Sequence, residues 1–504
     1  MKNALFFTSD KGNSYLYSPY RNQFRLCHPF IPYFFQLDKK GVKLDQWLTS
    51  IRKKGEVCLD GVGKFSYTEA KYQLDKYRFL KKHGFLKPEK AINLEGRLKV
   101  SDVKKNIESV KQLIFEVTED CNLNCTYCTY SKYYINKERT NKYLSFEEAK
   151  PTLMTLIAKR TPSPLDQLII SFYGGEPLVN FAFIKSVVDF TSTYPKDQIT
   201  FKYSMSSNGL LLKKYIQFLV DHAFEVSISL DGDEIANSFR VMKNGKPSYN
   251  TVTKNLDFVK EHYPDYFEQK INFLTVLHKR NSFSGVFEYY KKKYDKTPMM
   301  SDVNPLNLTP EHKKEFDECI RSLPVSQADE KQSMKSIENE HPKVKDMVKM
   351  AENYSGFVFK NYLKLISPAT GKSSSRKSIP TATCTPFSIR AYFTAHGAII
   401  PCEHISTSHE IGHYSYKQLQ LNPKEIANLY NRYYDKPARF CNTCYFADNC
   451  QDCIFNTGIE LEKPTCEFYT GESGFRKYLK EQYSSIENDY PFFLRTAQKI
   501  LHEE

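Results

Sequence analysis

Apolar and polar positions alternate along this chain in two distinguishable regimes. From about residue 108 to 308, short apolar runs take turns with segments of helical spacing, the pattern of a parallel α/β fold. The strand candidates are 113–118, 168–173, 201–206, 225–230 and 270–277, with a weaker one at 298–303. The first four each run into a polar or glycine-rich turn, at the strand ends where a (β/α) barrel keeps its chemistry. Residues 1–105 read differently. An aromatic, alternating stretch from Ser14 to Leu26 predicts a β-hairpin turning at Tyr20-Arg21-Asn22. A helix is expected around Leu44 to Lys54. A second helix begins at Ser66, where Glu69 completes a capping-box pattern, and stops at Gly84; Ala70, Leu74 and Tyr77 form its apolar stripe. Beyond the strands, residues 309–365 are charged and helical, and Thr370-Gly371-Lys372-Ser373-Ser374-Ser375 reads as an exposed link.

At 504 residues two or three domains are expected. Apolar residues make up 40% and aromatics 14%, with 36 Phe and 35 Tyr against one Trp, so the core is ample and aromatic. No apolar run reaches the length of a membrane span, and the apolar start Ala4-Leu5-Phe6-Phe7 gives way too soon for a secretory signal. A cytoplasmic protein is expected, whose thirteen cysteines serve as reduced thiols and metal ligands. The net charge of +14 allows a polyanionic partner, but no nucleic-acid module accompanies it, and Lys291-Lys292-Lys293 reads as solvated surface.

The cysteines carry the chemistry. Cys121-Asn-Leu-Asn-Cys125-Thr-Tyr-Cys128 places three thiols on one tight loop directly after the first strand. A closed iron–sulfur site takes four protein ligands, so three leave one iron open to an outside ligand. A zinc knuckle would need a fourth ligand of its own. The second strand runs into Gly174-Gly175-Glu176-Pro177, where the glycines admit close approach of backbone and ligand. The third ends in Ser206-Ser207-Asn208-Gly209, the fourth in Ser227-Ile228-Ser229-Leu230-Asp231-Gly232, with Arg240 following. A second field lies at 384–466: Cys384, Cys402, Cys441, Cys444, Cys450, Cys453 and Cys466. One or two zinc sites would also suit that field. Cys27, Cys58 and Cys319 match no motif.

The C-x3-C-x2-C loop, with Tyr127 before its last cysteine, resembles the signature loop of the radical S-adenosylmethionine (SAM) enzymes. In that family the open iron of a 4Fe–4S cluster, here on Cys121, Cys125 and Cys128, chelates the methionine part of SAM. The resemblance implies a partial (β/α)6 barrel over 108–308. It gives Gly174, Gly175 and Glu176 the SAM amino group, turns Ser207, Asn208, Ser229 and Asp231 toward its ribose and methionine, and places Arg240 near its carboxylate. Ala236-Asn237 stands where many peptide-modifying members carry His-Asp. The field at 381–470 resembles the SPASM extension, which binds two auxiliary 4Fe–4S clusters. The resemblance assigns Cys441, Cys444, Cys450 and Cys466 to one cluster and Cys384, Cys402 and Cys453 to another. An open iron, or His404, His409 or His413, would complete the second. Two residues separate Cys450 and Cys453 where the family has three.

Residues 1–105 are similar in size and position to a winged-helix-like α+β leader-binding domain, the RiPP recognition element, which captures a peptide as an added strand. A helical connector at 309–380 and a helical tail at 471–504 complete the expected architecture. The expected activity is reductive SAM cleavage to a 5′-deoxyadenosyl radical and oxidation of a ribosomally synthesised precursor peptide, with a thioether or carbon–carbon crosslink as product. Its partners would be that peptide and a flavodoxin or ferredoxin, with no nucleic acid or membrane. The alternatives are an anaerobic sulfatase maturase and a noncatalytic iron–sulfur or zinc scaffold.

Overall fold

The computed structural model describes residues 2–491 apart from 22, 90–96, 135–138, 164, 305–307, 321–382, 404, 406, 437, 448–452, 457–465, 467–468 and 489. The chain divides into two compact units: residues 1–96, 341–383 and 432–504 form one, 97–340 and 384–431 the other.

The first unit opens with strands β1 (Leu5–Thr8), β2 (Ser14–Ser18) and β3 (Gln23–Cys27), paired antiparallel in that order. β2 and β3 are the expected hairpin; β1 adds a third strand that the N-terminal Leu5-Phe6-Phe7 run did not announce. Helices α1 (Phe30–Lys39) and α2 (Leu44–Lys54), hairpin β4 (Glu56–Leu59) and β5 (Gly63–Ser66), and helix α3 (Tyr67–Lys82) follow. Ser66 Oγ accepts the Glu69 N–H at 3.2 Å, capping α3 as its sequence requires. The α3 stripe of Ala70, Leu74 and Tyr77 is buried with Phe30, Ile31 and Phe34 of α1. In the C-terminal helix Glu472–Asn488, Phe475, Leu479 and Tyr483 recur every four residues. They pack on Leu5, Phe7, Tyr17 and Phe24.

In the second unit, α4 (Val100–Glu108) leads into β6 (Gln112–Thr118), and the chain then repeats helix and strand: α5 (Phe146–Ala158), β7 (Gln167–Gly174), α6 (Phe181–Thr191), β8 (Thr200–Ser207), α7 (Leu212–Asp221), β9 (Glu225–Ser229), α8 (Tyr249–His262), α9 (Pro264–Lys270), β10 (Ile271–Leu277), α10 (Phe283–Tyr294) and β11 (Met299–Asp302). All six strands are parallel and lie side by side in chain order, so each strand anticipated in the sequence takes its place in one large sheet. Phe115 and Phe172 turn to one face, against Phe183 of α6. The opposite face is polar near its start, where Gln112, Ser171 and Ser204 form a hydrogen-bonded row at 2.7 and 2.6 Å.

The sheet does not stop at β6. Strand β12 (Arg390–Phe393) pairs parallel with β6, and β13 (Ala398–Ile400), β14 (Gly412–Tyr414) and β15 (Leu419–Gln420) continue antiparallel to give ten strands. Of the expected connector only residues up to 320 are described, including the helix Lys313–Cys319; the Thr370–Ser375 link lies outside the described residues. Among the described residues no helix is long and apolar enough to cross a membrane.

Candidate functional site

The three-cysteine loop leaves the C-terminal end of β6 and is clipped to the segment after β9. The Asn124 N–H bonds Val241 O at 2.7 Å and the Thr126 N–H bonds Phe239 O at 3.0 Å. Burial pushes the Cys125 thiol up to about 12 and raises that of Cys121 as well. Their surroundings are nevertheless built for sulfur anions. Arg139 Nη2 donates to Cys128 Sγ at 3.5 Å, the Leu123 N–H to Cys121 Sγ at 3.4 Å, and Asn208 Nδ2 to Cys121 Sγ at 3.7 Å. Burial lowers the Arg139 pKa, but the three neighbouring thiols outweigh it and hold the guanidinium above its ordinary value. A donor set of three thiols with a cation and N–H groups on the sulfurs suits an iron–sulfur group, whose potential such hydrogen bonds tune.

Gly174 and Gly175 are obligatory for a reason internal to the fold. A Cβ on Gly174 (φ +126°) would stand 2.2 Å from Thr118 O, and one on Gly175 2.1 Å from Asp120 O. Without side chains the two backbones meet: the Gly175 N–H bonds Thr118 O at 2.8 Å and the Glu176 N–H bonds Asp120 O at 2.9 Å. The end of β7 is thereby laid along the start of the cysteine loop. Glu176 then ties β7 to β8. Its Oε1 accepts the Ser207 hydroxyl at 2.9 Å and the Leu178 N–H at 3.1 Å, and its Oε2 accepts the Asn208 N–H at 2.7 Å. Burial nevertheless pushes this carboxyl up to about 7. Asn208 reaches on to Asn122 Oδ1 at 2.7 Å inside the cysteine loop.

Asp231, at the end of β9, is fully buried and gripped by Arg240 through Nε (2.9 Å) and Nη2 (3.0 Å). Burial pushes the carboxyl up, but Arg240 and His278 outweigh it and hold it well below the usual carboxylate range. The Tyr127 hydroxyl also donates to Asp231, and the Arg240 guanidinium lies over the Tyr127 ring, 5.4 Å from its centroid. Tyr127, Asp231 and Arg240 thus form one unit that fixes the cysteine loop against β9. Among the described residues none takes Arg240 Nη1, which is fit to meet a carboxylate. Ser229 sits half-buried on the same side of β9 as Ser227.

The structure adds residues that sequence reasoning missed. Arg139 stands eleven positions past Cys128, with no fixed spacing to mark it. His278 is fully buried beside Asp231: its Nδ1 accepts the Arg280 N–H at 3.1 Å, which puts its proton on Nε2, 3.5 Å from Asp231 Oδ2. Glu116 and Glu119 on the β6 side of the loop were likewise unmarked.

In the C-terminal field, Cys441 and Cys444 are buried in the first unit, and burial with the neighbouring Cys444 and Cys466 thiols pushes Cys441 up to about 12. The Thr470 N–H donates to Cys444 Sγ at 3.5 Å. Cys453 is half-buried in the same unit; Cys384, exposed, and Cys402, half-buried, belong to the second. Cys450 and His404 lie outside the described residues. His413 faces Glu410 at 3.3 Å, and His409 is buried.

Comparison with known proteins agrees with this geometry. The chain is 32% identical over 193 residues to a cysteine-type anaerobic sulfatase-maturating enzyme of Clostridium novyi (strain NT), covering 37% of this chain and 49% of that protein. It is 26% identical over 253 residues to the radical SAM cyclopropyl synthase TigE of Paramaledivibacter caminithermalis, covering 48% and 52%. It therefore spans about half the length of these curated relatives. The solved structure of native anSMEcpe with bound AdoMet and Kp18Cys peptide superposes with a TM-score of 0.52 at 18% identity, over 77% of this chain and 99% of that one, a likeness of fold. Residues 115–282, from β6 to the turn before α10, match the Radical SAM superfamily model. This chain carries a Radical SAM domain, of the family that binds SAM and a 4Fe–4S cluster.

Proposed function

We propose that this protein is a radical SAM enzyme that oxidises a peptide. The observation that carries the reading is the closed constellation at the mouth of the sheet. Three thiols, with N–H donors on the sulfurs of Cys121 and Cys128, the Gly174-Gly175 contact and the Tyr127–Asp231–Arg240 unit all converge there. Cys121, Cys125 and Cys128 would hold the 4Fe–4S cluster. Arg139 offsets the charge of the thiolates, and Arg240 Nη1 would meet the carboxylate of SAM. Bound there, the cluster and SAM supply a 5′-deoxyadenosyl radical that takes a hydrogen atom from substrate. The protein's part is to orient the two and exclude water. An external low-potential donor of the flavodoxin or ferredoxin class would supply the electron.

Peptide as substrate is supported by the likeness to sulfatase-maturating enzymes and by the first unit. There β3 is the edge of its sheet, with Leu26 69% exposed, and Tyr72 and Phe79 of α3 are also exposed. An edge strand offers a leader peptide main-chain partners, and exposed aromatic rings offer contacts for its side chains. Auxiliary clusters on the C-terminal cysteines would accept the electron released on oxidation. A second reading, an anaerobic sulfatase maturase, draws on the identity with the Clostridium novyi enzyme.

The test is intact mass. A short peptide encoded beside this gene, coexpressed anaerobically with the protein, should lose one or more pairs of hydrogens, and should not with Cys125→Ala. An unchanged mass beside oxidation of a sulfatase-derived peptide would replace the first reading by the second. Neither product, with SAM cleaved, would refute both.

A further inference from the structure

Two carboxylates at the end of β6 hold more than the cysteine loop. Glu116 is buried, and its oxygens serve different stretches of chain: Oε1 accepts the Tyr130 hydroxyl at 2.7 Å, Oε2 the Ala395 N–H at 3.0 Å. Tyr130 lies two residues past Cys128, with the Arg139 guanidinium over its ring, 5.2 Å from the centroid. Ala395 is in the turn between β12 and β13, closed by the Thr394 N–H on Ala398 O at 2.9 Å and the Gly397 N–H on Thr394 O at 3.1 Å.

Three residues on, Glu119 repeats the arrangement. It accepts the Thr140 N–H at 2.8 Å and the Thr140 hydroxyl, and its Oε1 faces His396 Nε2 at 3.2 Å. Thr140 Oγ1 lies 3.1 Å from the same ring nitrogen. Consecutive turn residues, 395 and 396, are therefore each tied to a carboxylate that also holds the segment following the three cysteines. From this turn β13 runs directly into Pro401 and Cys402.

A carboxylate suits such a joint because its two oxygens accept from separate donors, and bonds to an ionised acceptor are stronger than neutral ones. A buried carboxylate is costly once those bonds are lost, which makes the joint close to all-or-none.

We propose that Glu116 and Glu119 are positioning residues that lock the β12–β13 turn, and with it Cys402, to the three-cysteine loop, and so couple SAM cleavage to peptide oxidation. The coupling rests on the peptide-oxidising reading above, with Cys402 a ligand of an iron–sulfur electron acceptor. In that reaction one substrate C–H gives its hydrogen atom to the adenosyl group. As the new bond closes, its second partner gives up a proton and the substrate radical gives up one electron, which goes to that acceptor. A loosened turn scatters the distance the electron must cross, so more SAM is cleaved for each peptide oxidised.

The test has two arms, both on the full chain. Hydrogen exchange of the peptide covering 394–397 reads the joint without reference to activity. The number of 5′-deoxyadenosine molecules formed per peptide oxidised reads the coupling. In Glu116→Ala the Ala395 amide should exchange about tenfold faster or more. The ratio should rise about tenfold. Glu116→Gln, whose side chain can still accept the Ala395 N–H, should recover most of both. His396→Ala, at a half-exposed side chain that no core depends on, should raise both modestly. Exchange unchanged in Glu116→Ala and His396→Ala would overturn the joint. Faster exchange with an unchanged ratio would overturn the coupling. If the wild-type protein cleaves SAM but oxidises no peptide, the peptide-oxidising reading fails, and with it the coupling, while the exchange arm still decides the joint.

Discussion

Arg240 donates two parallel hydrogen bonds to Asp231, Nε to Oδ2 at 2.9 Å and Nη2 to Oδ1 at 3.0 Å, and both side chains are buried. Nine residues apart, the pair folds the chain after β9 back beneath Tyr127. Arg240→Ala strands a buried carboxylate and should destabilise the protein by about 3–5 kcal/mol in chemical denaturation. Arg240→Lys keeps the charge but not the fork, and should recover only part of that loss. The paired change Asp231→Leu with Arg240→Met should recover stability only in part, because the Tyr127 hydroxyl and the Val276 N–H also lose their acceptor, and should not restore SAM binding.

Arg139 places a fixed positive charge and an N–H on Cys128 Sγ. Both stabilise the more negative, reduced form of a cluster. Redox titration followed by electron paramagnetic resonance should give Arg139→Gln a more negative midpoint potential than the wild type, with Arg139→Lys between them. Equal potentials would remove Arg139 from the site.

The backbone contact at Gly175 admits no side chain. Gly175→Ala, whose Cβ would meet Asp120 O at 2.1 Å, should cost at least about 2 kcal/mol and reduce iron incorporation. Gly474→Ala, on the helix Glu472–Asn488, where a Cβ would make ordinary van der Waals contact with Thr470 Cγ2 at 3.4 Å, should do neither.

Glu176 gives a pH signature. Its folded pKa, about 7, lies above the ordinary 4.5. The proton it keeps therefore stabilises the fold fully below about 4.5, and that contribution is lost as pH rises through 7. Glu176→Gln should remove this slope. Its stability relative to the wild type should rise by on the order of 2–3 kcal/mol between pH 4.5 and 8, read from denaturation midpoints across that range.

The first four parallel strands were legible because each is a short apolar run closed by a polar or glycine-rich turn. The fifth was legible because it is a longer run, and the sixth, Met299–Asp302, only weakly because it is short and mostly exposed. The cysteine loop and the strand-end turns were legible because their spacing is fixed. What the sequence hides is what long-range pairing decides. Arg390–Phe393 is too short to stand out, and only its parallel pairing with Gln112–Phe115 makes it the strand that widens the sheet. Helix α1 begins in an aromatic run, Phe30-Ile31-Pro32-Tyr33-Phe34-Phe35, whose helical period is masked by apolar residues on every side. The turn that carries Glu176 is legible by its motif, whereas the bonds its oxygens accept from Leu178, Ser207 and Asn208 depend on β8 folding beside β7. Arg139, His278, Glu116 and Glu119 reach the site from positions that no motif numbers.

The most direct test of the central claim is 5′-deoxyadenosine formation by the anaerobically reconstituted protein with SAM and a strong reductant. Turnover by the wild type, and none by Cys121→Ala, Cys125→Ala or Cys128→Ala, is the predicted result. A protein that binds iron yet forms no 5′-deoxyadenosine, or one that still forms it without those cysteines, would contradict the account.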